Sequence, residues 1–157
     1  MTALEKLSSE LTGEWLIDES PTSISKNTGE LLQYFGMPWL VAQAVLLSPT
    51  PPLHFTLTAE GKVRVTYPGL FPLQNDYTIG EKSMHKSVWT NQSCECQLGK
   101  DEEGFDAVVI SIPQDEKLGV MHMTHSVRLG RHFVFITVVL NGKVMVRVPR
   151  VYDRKNK

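Results

Sequence analysis

Asn141-Gly142-Lys143-Val144-Met145-Val146-Arg147-Val148-Pro149-Arg150-Val151-Tyr152-Asp153 is the stretch from which the rest of the chain is read. Asn-Gly opens a tight hairpin, because both residues tolerate the positive φ such a turn requires. The residues after it alternate as a strand does, so positions two apart share a face. Arg150 and Tyr152 therefore point one way and Val151 the other. Inside a closed sheet that guanidinium lies in a low dielectric, at a cost of several kcal/mol in order of magnitude unless something completes it. A ligand carboxylate is one candidate. On a solvated edge strand the same two residues need nothing, and taken alone the segment favours that plainer reading. Pro149 has no N–H to give a ladder, so an unpaired position or a bulge is expected there.

Upstream of this stretch the chain reads as a train of strands. Phe133 to Leu140 is the most apolar. Leu129-Gly130-Arg131 turns the chain back onto Val120 to Arg128. Before these come Phe105 to Ile112 (ended by Pro113), Ser93 to Leu98, Ser83 to Trp89 and Leu73 to Ile79. Leu53 to Thr58 and Val63 to Tyr67 form a hairpin around Ala59-Glu60-Gly61-Lys62. Turn signals about 8–12 residues apart between period-two runs predict an antiparallel barrel or sandwich. Leu11 to Asp18 is a first strand, with Trp15 as a core anchor and Gly13 leaving room for close approach. Ahead of it, Thr2 and Glu5 have capping-box spacing for a helical turn from Ala3 to Glu10. Two short helices separate the first strand from the hairpin. Thr28 caps one that runs from Glu30 to Phe35 and stops at Gly36; Pro38 starts the other, Trp39 to Leu47. The second is apolar almost all round, as a helix is that lies buried or covers something apolar.

The 157 residues suit one domain over 1–157, with 1–10 as an N-terminal extension. A net charge of −1 provides no basic field for nucleic acid or an acidic membrane surface. Cys94 and Cys96 lie on one strand face, a poor geometry for a disulfide, and two free thiols suit a reducing compartment. Met1 to Glu10 includes Glu5, Lys6 and Glu10 and no apolar run, unlike a secretory signal. No stretch of about 18 apolar residues exists to span a membrane. The cytoplasm is the expected location. His122 and His125, three apart on a strand, face opposite sides and do not make a metal pair. Cys94-Glu95-Cys96 has no second pair at zinc spacing, and Asp101-Glu102-Glu103 lacks calcium-loop spacing. There is no Gly-x-Ser-x-Gly elbow and no phosphate loop. No enzyme activity, metal or cofactor is expected.

The order of these features resembles the intracellular fatty-acid-binding protein family, the cytosolic lipid-binding proteins of the calycin superfamily. Gly13-Glu14-Trp15 resembles the family's opening Gly-x-Trp. Thr28 to Leu47 resembles its helix-turn-helix lid, with Gly36 between the helices. Arg150-Val151-Tyr152 resembles the closing Arg-x-Tyr of its last strand. The resemblance runs from about Leu11 to Asp153. It implies an all-β fold, a ten-stranded antiparallel up-and-down β-barrel (a β-clam) with a two-helix lid between the first and second strands. It also implies that Arg150 and Tyr152 hold a ligand carboxylate. Arg128 is the nearest match to the family's second, upstream arginine, with Ser126 or Thr124 as other inward candidates. On the lid, Leu32 and Met37 fall where family members touch the ligand tail. The chain departs from typical members in its N-terminal extension, its charged turn near Lys100 to Glu103 and a longer last strand.

The expected function is thus an intracellular lipid carrier for a fatty acid or similar apolar carboxylate. The tail gains about 0.8 kcal/mol per buried methylene, while an arginine and a tyrosine hydroxyl compensate the carboxylate for lost water. The alternative is a calycin-like barrel serving as an interaction module, or binding another hydrophobic ligand such as a tetrapyrrole, in which His122, His125 or His132 would matter. A monomer is expected, with transient membrane contact through the lid. Trp89, Phe105 and Phe133 are candidates to fill the cavity.

Overall fold

A computed structural model describes residues 2–18, 30–36, 52–68, 72–86 and 91–155. The elements are α1 (Ala3–Leu11), β1 (Gly13–Ile17), β2 (Leu53–Leu57), β3 (Lys62–Tyr67), β4 (Leu73–Thr78), β5 (Lys82–Lys86), β6 (Asn91–Lys100), β7 (Asp106–Pro113), β8 (Val120–Arg128), β9 (Arg131–Leu140) and β10 (Lys143–Arg154). Residues 30–34 are helical as well. The expected second lid helix and Trp89 lie outside the described residues. The ten strands form one antiparallel sheet in the order β4-β3-β2-β1-β10-β9-β8-β7-β6-β5. Strands adjacent in sequence therefore pair, except β4 and β5, and β1 also pairs with β10 through Trp15 opposite Arg154 and Ile17 opposite Tyr152. The up-and-down order that the family resemblance implies is what forms, and of the barrel or sandwich expected from the turn spacing it is the barrel.

The ends of this sheet, β4 and β5, meet through a side chain. Asn75 Nδ2 donates to the Lys86 carbonyl at 3.0 Å, and its Oδ1 accepts from the Lys86 N–H at 2.6 Å. A buried asparagine thus supplies the two bonds that a strand neighbour would have made. The hairpin signal at Asn141-Gly142 is realised with φ of 52° and 76°. Leu129-Gly130 turns in the same way, with φ of 52° and 75°.

α1 is capped by Thr2, whose hydroxyl accepts from the Glu5 N–H at 3.1 Å. It buries Leu7 and Leu11 against one end of the barrel. Ser8 and Thr12 bond the backbone of Leu57, and Arg154 donates to the last carbonyls of the helix, Glu10 at 2.8 Å and Thr12 at 3.0 Å. A cation at a helix C-terminus satisfies carbonyls that have no partner within the helix. The same guanidinium lies 4.3 Å above the Trp15 ring. Gly13 makes this approach possible, since a Cβ there would fall 2.5 Å from Arg154 Nη1.

The interior is mainly one buried cluster built on Trp15, Leu53, Phe55, Leu57, Val108, Ile110, Ile112 and Tyr152. At the end away from α1, Leu31 of the short helix packs on Val138, Val146 and Val148. Tyr34 fixes that helix to the barrel by donating to the Leu118 carbonyl at 2.8 Å. Removing the hydroxyl with Tyr34→Phe should lower the local opening free energy of residues 31–36 by about 1 kcal/mol, read as faster amide exchange there with global stability little changed. Unchanged exchange in that segment would show that the bond does not hold the helix down.

Candidate functional site

Alternation in β10 places Val148, Arg150 and Tyr152 inside, with Val148 and Tyr152 fully buried, and turns Arg147, Val151 and Asp153 to the other face. Asp18 N–H donates to the Val151 carbonyl, so odd-numbered residues of this strand aim their backbone groups toward β1. Pro149 is odd-numbered and lies past the last pair with β1. Its missing N–H costs the β9 ladder nothing, and the inward direction of Arg150 survives. The bulge sits earlier, between Val144 and Val146.

Tyr152 brings its hydroxyl into this interior, where it has no hydrogen-bond partner among the described residues. Tyr67 on β3 shares the space. Its phenol is pushed up from the usual range first by burial and then by nearby Tyr152, an effect partly opposed by the positive charge of Arg150. Arg150, Tyr152 and Tyr67 therefore meet in one interior. Sequence reasoning missed Tyr67, although its alternation with buried Val63 and Val65 already placed it on the inner face. Packing is uneven: Phe55, His132 and Tyr152 keep essentially no accessible surface, whereas the inward Tyr67, Met121, Met123 and Arg150 keep some. The interior is solid toward α1 and looser toward the short helix.

Arg128 is not part of this group. It lies on the outer face of β8 with Ser126 and Thr124, while His125 and Val127 face in. Its Nε donates to Asp101 Oδ2 at 2.9 Å, its Nη1 lies 3.1 Å from Glu103, and its guanidinium covers the rings of Phe105, Phe133 and Phe135 at 4.8–5.3 Å. Phe105 and Phe133 thus belong to the outside of the sheet and do not fill the interior. Asp101 organises this outer cluster. It also accepts from Ser126 at 2.8 Å and from the N–H groups of Glu103 and Phe105 at 2.9 and 3.0 Å. Burial alone would raise its carboxyl, but these bonds from Ser126, Arg128 and the two amides outweigh burial and hold it below the usual range. Its contribution is complete above the unfolded carboxyl value and lost as pH falls through the depressed folded one. Asp101→Ala strands several donors at once and should cost about 1–3 kcal/mol in urea unfolding at neutral pH. A wild-type midpoint would contradict that role.

Five aromatic groups, two of them imidazoles, line the solid part of the interior. His125 Nδ1 and His132 Nε2 are 2.9 Å apart, and neither residue has any exposed surface. Trp15 and Phe55 enclose them, with Trp15 5.1 Å from His132 and Phe55 4.9 Å from His125, ring centre to ring centre. Tyr152 lies 6.1 Å from His132. Burial pushes His125 down to about 3, and burial, then His125, then Arg154 push His132 well below its ordinary value. Both are neutral imidazoles. His122 is on the outer face, as its spacing from His125 requires, and bonds Ser111 at 2.8 Å. Cys94 and Cys96 share the inner face; burial pushes both thiols up, Cys96 to about 12, so neither is a ready nucleophile. Among the described residues no three His, Cys, Asp or Glu side chains gather as a metal site, and no helix is long and apolar enough to cross a membrane. Leu32 is partly exposed, and its neighbour Leu31 is the residue that packs down. Met37 lies outside the described residues.

Comparison with solved structures shows the same architecture over nearly the whole chain. The REP1-NXSQ fatty acid transporter superposes with a TM-score of 0.73 at 14% identity, covering 95% of this chain and 98% of its own. Apo lipid binding protein 8 of Caenorhabditis elegans gives 0.72 at 15% identity, covering 94% and 96%. A Schistosoma mansoni fatty acid binding protein in complex with arachidonic acid gives 0.71 at 19% identity, covering 95% and 98%. The fold is the β-clam of the fatty-acid-binding proteins. No family model matches the chain, and no curated protein matches its sequence. At these identities the clam is shared as a scaffold, and what it holds in this chain rests on its own interior residues.

Proposed function

We propose that this β-clam is a non-catalytic cytoplasmic carrier, a single 157-residue domain acting as a monomer, that encloses a fatty acid or similar apolar carboxylate. Arg150 and Tyr152 hold the head group, and Tyr67 faces them. The observation that carries the reading is the Tyr152 hydroxyl, fully buried, lacking a hydrogen-bond partner among the described residues, and two positions from a cation on the same inward face. A buried hydroxyl left unsatisfied costs about 1–3 kcal/mol, which a ligand oxygen removes. A carboxylate meets the hydroxyl and the guanidinium together with short, charge-assisted bonds. Its tail then extends toward the looser end, among Met121, Met123 and Ile136, and gains about 0.8 kcal/mol for each methylene buried. Exchange proceeds by opening at the short helix, where Leu31 and Tyr34 make the contacts and where transient membrane contact would occur.

Titration of delipidated protein with a fluorescent fatty acid tests the reading. The expected result is a saturable rise in emission at one ligand per chain, in the micromolar range or below. Emission that only tracks free probe, without saturation, would remove the carrier reading.

A further inference from the structure

The histidine pair is a polar feature that the carboxylate site does not use. His125 Nε2 and His132 Nδ1, the nitrogens on the outer sides of the pair, are fully buried and have no hydrogen-bond partner among the described residues. They lie among Trp15, Phe55 and Tyr152, where apolar side chains of similar size would carry no such cost. Strand register places them beside the head-group site. His125 is opposite Val134 and Val134 opposite Arg150; His132 is opposite Tyr152. The pair therefore spans the two rows of the sheet that hold Arg150 and Tyr152, with His125 two strands, about 10 Å, from Arg150.

The chemistry of the pair selects what can complete it. Two neutral imidazoles joined by one hydrogen bond leave an N–H on one outer nitrogen and a lone pair on the other. Moving both protons reverses which nitrogen has which. A carboxylate only accepts and can serve one of these states. A hydroxyl both donates and accepts, and serves either.

We propose that the His125–His132 pair binds a hydroxyl carried close to the ligand's carboxylate, so that the clam prefers a hydroxylated fatty acid to a plain one. This rests on the carrier reading and refines it. The carboxylate meets Arg150 and Tyr152, and the hydroxyl, a few carbons away, meets an outer imidazole nitrogen.

Calorimetry on the delipidated full chain with palmitate, 3-hydroxypalmitate and the methyl ester of 3-hydroxypalmitate tests it. The expected result is about tenfold tighter binding of 3-hydroxypalmitate than of palmitate, the effect of one added hydrogen-bonded group. His125→Phe should abolish the difference between the two acids; His132→Phe, or His125→Leu, serves if that variant melts early. Imidazole nitrogen resonances supply a second readout, which should shift with 3-hydroxypalmitate and not with palmitate. Equal affinity for the two acids overturns the hydroxyl site and leaves the carrier standing. So does a preference that survives in all the variants. Binding of the hydroxy ester alone overturns the carboxylate site and supports the hydroxyl one. Absence of binding by all three ligands overturns both.

Discussion

Arg150→Gln is expected to weaken binding of a long-chain fatty acid by about a hundredfold or more, measured by displacement of a fluorescent probe. Removing one partner of a buried ion pair leaves the other charge uncompensated, which costs about 3–5 kcal/mol. The glutamine still fills much of the space and still donates a hydrogen bond, so the loss is mainly the charge. Tyr152→Phe should cost less, about tenfold, because only a neutral donor is removed. The ranking is as informative as the size. Arg150 faces inward on β10 and its charge is felt at Tyr67, so it acts where the head group would lie. An Arg128→Gln variant provides the contrast. That residue sits on the outer face against Asp101 and Phe133, and its loss should lower stability with no specific loss of acid over ester. Equal ligand affinities in wild type and Arg150→Gln would remove the head-group assignment.

Acid is expected to destabilise the protein early. An unfolded histidine takes up a proton below about pH 6.5. Folded His125 resists until about 3, and His132 is held low as well, first by burial. Across that interval the unfolded chain binds more protons than the folded one. Stability is therefore complete above the unfolded value and falls as pH falls below it, by about 1.4 kcal/mol per pH unit for each histidine that stays neutral. Two such residues imply a loss of about 4 kcal/mol between about pH 6.5 and 5, a large share of the roughly 5–15 kcal/mol a domain has. His85 and His122, held low by partial burial, act in the same direction. Urea unfolding at about pH 7.5 and 5 measures this, and His125→Phe should reduce the difference. Matching midpoints at the two pH values would mean that the folded pair accepts protons freely.

Much of the clam was legible because its signals are local. Period-two runs, Asn141-Gly142 and the capping pair of Thr2 and Glu5 each act within a few residues, and the structure has strands and α1 where they point. The shared face of Arg150 and Tyr152 was legible for the same reason, since one strand's alternation sets it. Arg128 was not, because its face depends on register carried through two hairpins. Counting unbroken from the Asn141-Gly142 turn would pair Tyr152 with Arg131 and so place Arg128 inside. The bulge between Val144 and Val146 shifts the count by one, pairs Tyr152 with His132, and exchanges the inner and outer faces of β8 and β9 relative to β10. No residue type announces that bulge. The same shift brings His125 and His132 into the interior, where they meet across adjacent strands, a contact that no spacing along one strand could reveal.

Competition between oleate and methyl oleate against a bound fluorescent fatty acid asks whether a charged head-group site lies inside the clam. The two share a tail and differ in the charge that Arg150 would meet. Displacement by the acid at concentrations at least about tenfold lower than by the ester is the expected outcome. Displacement by both at the same concentration would keep an apolar cavity and contradict the role of Arg150 and Tyr152.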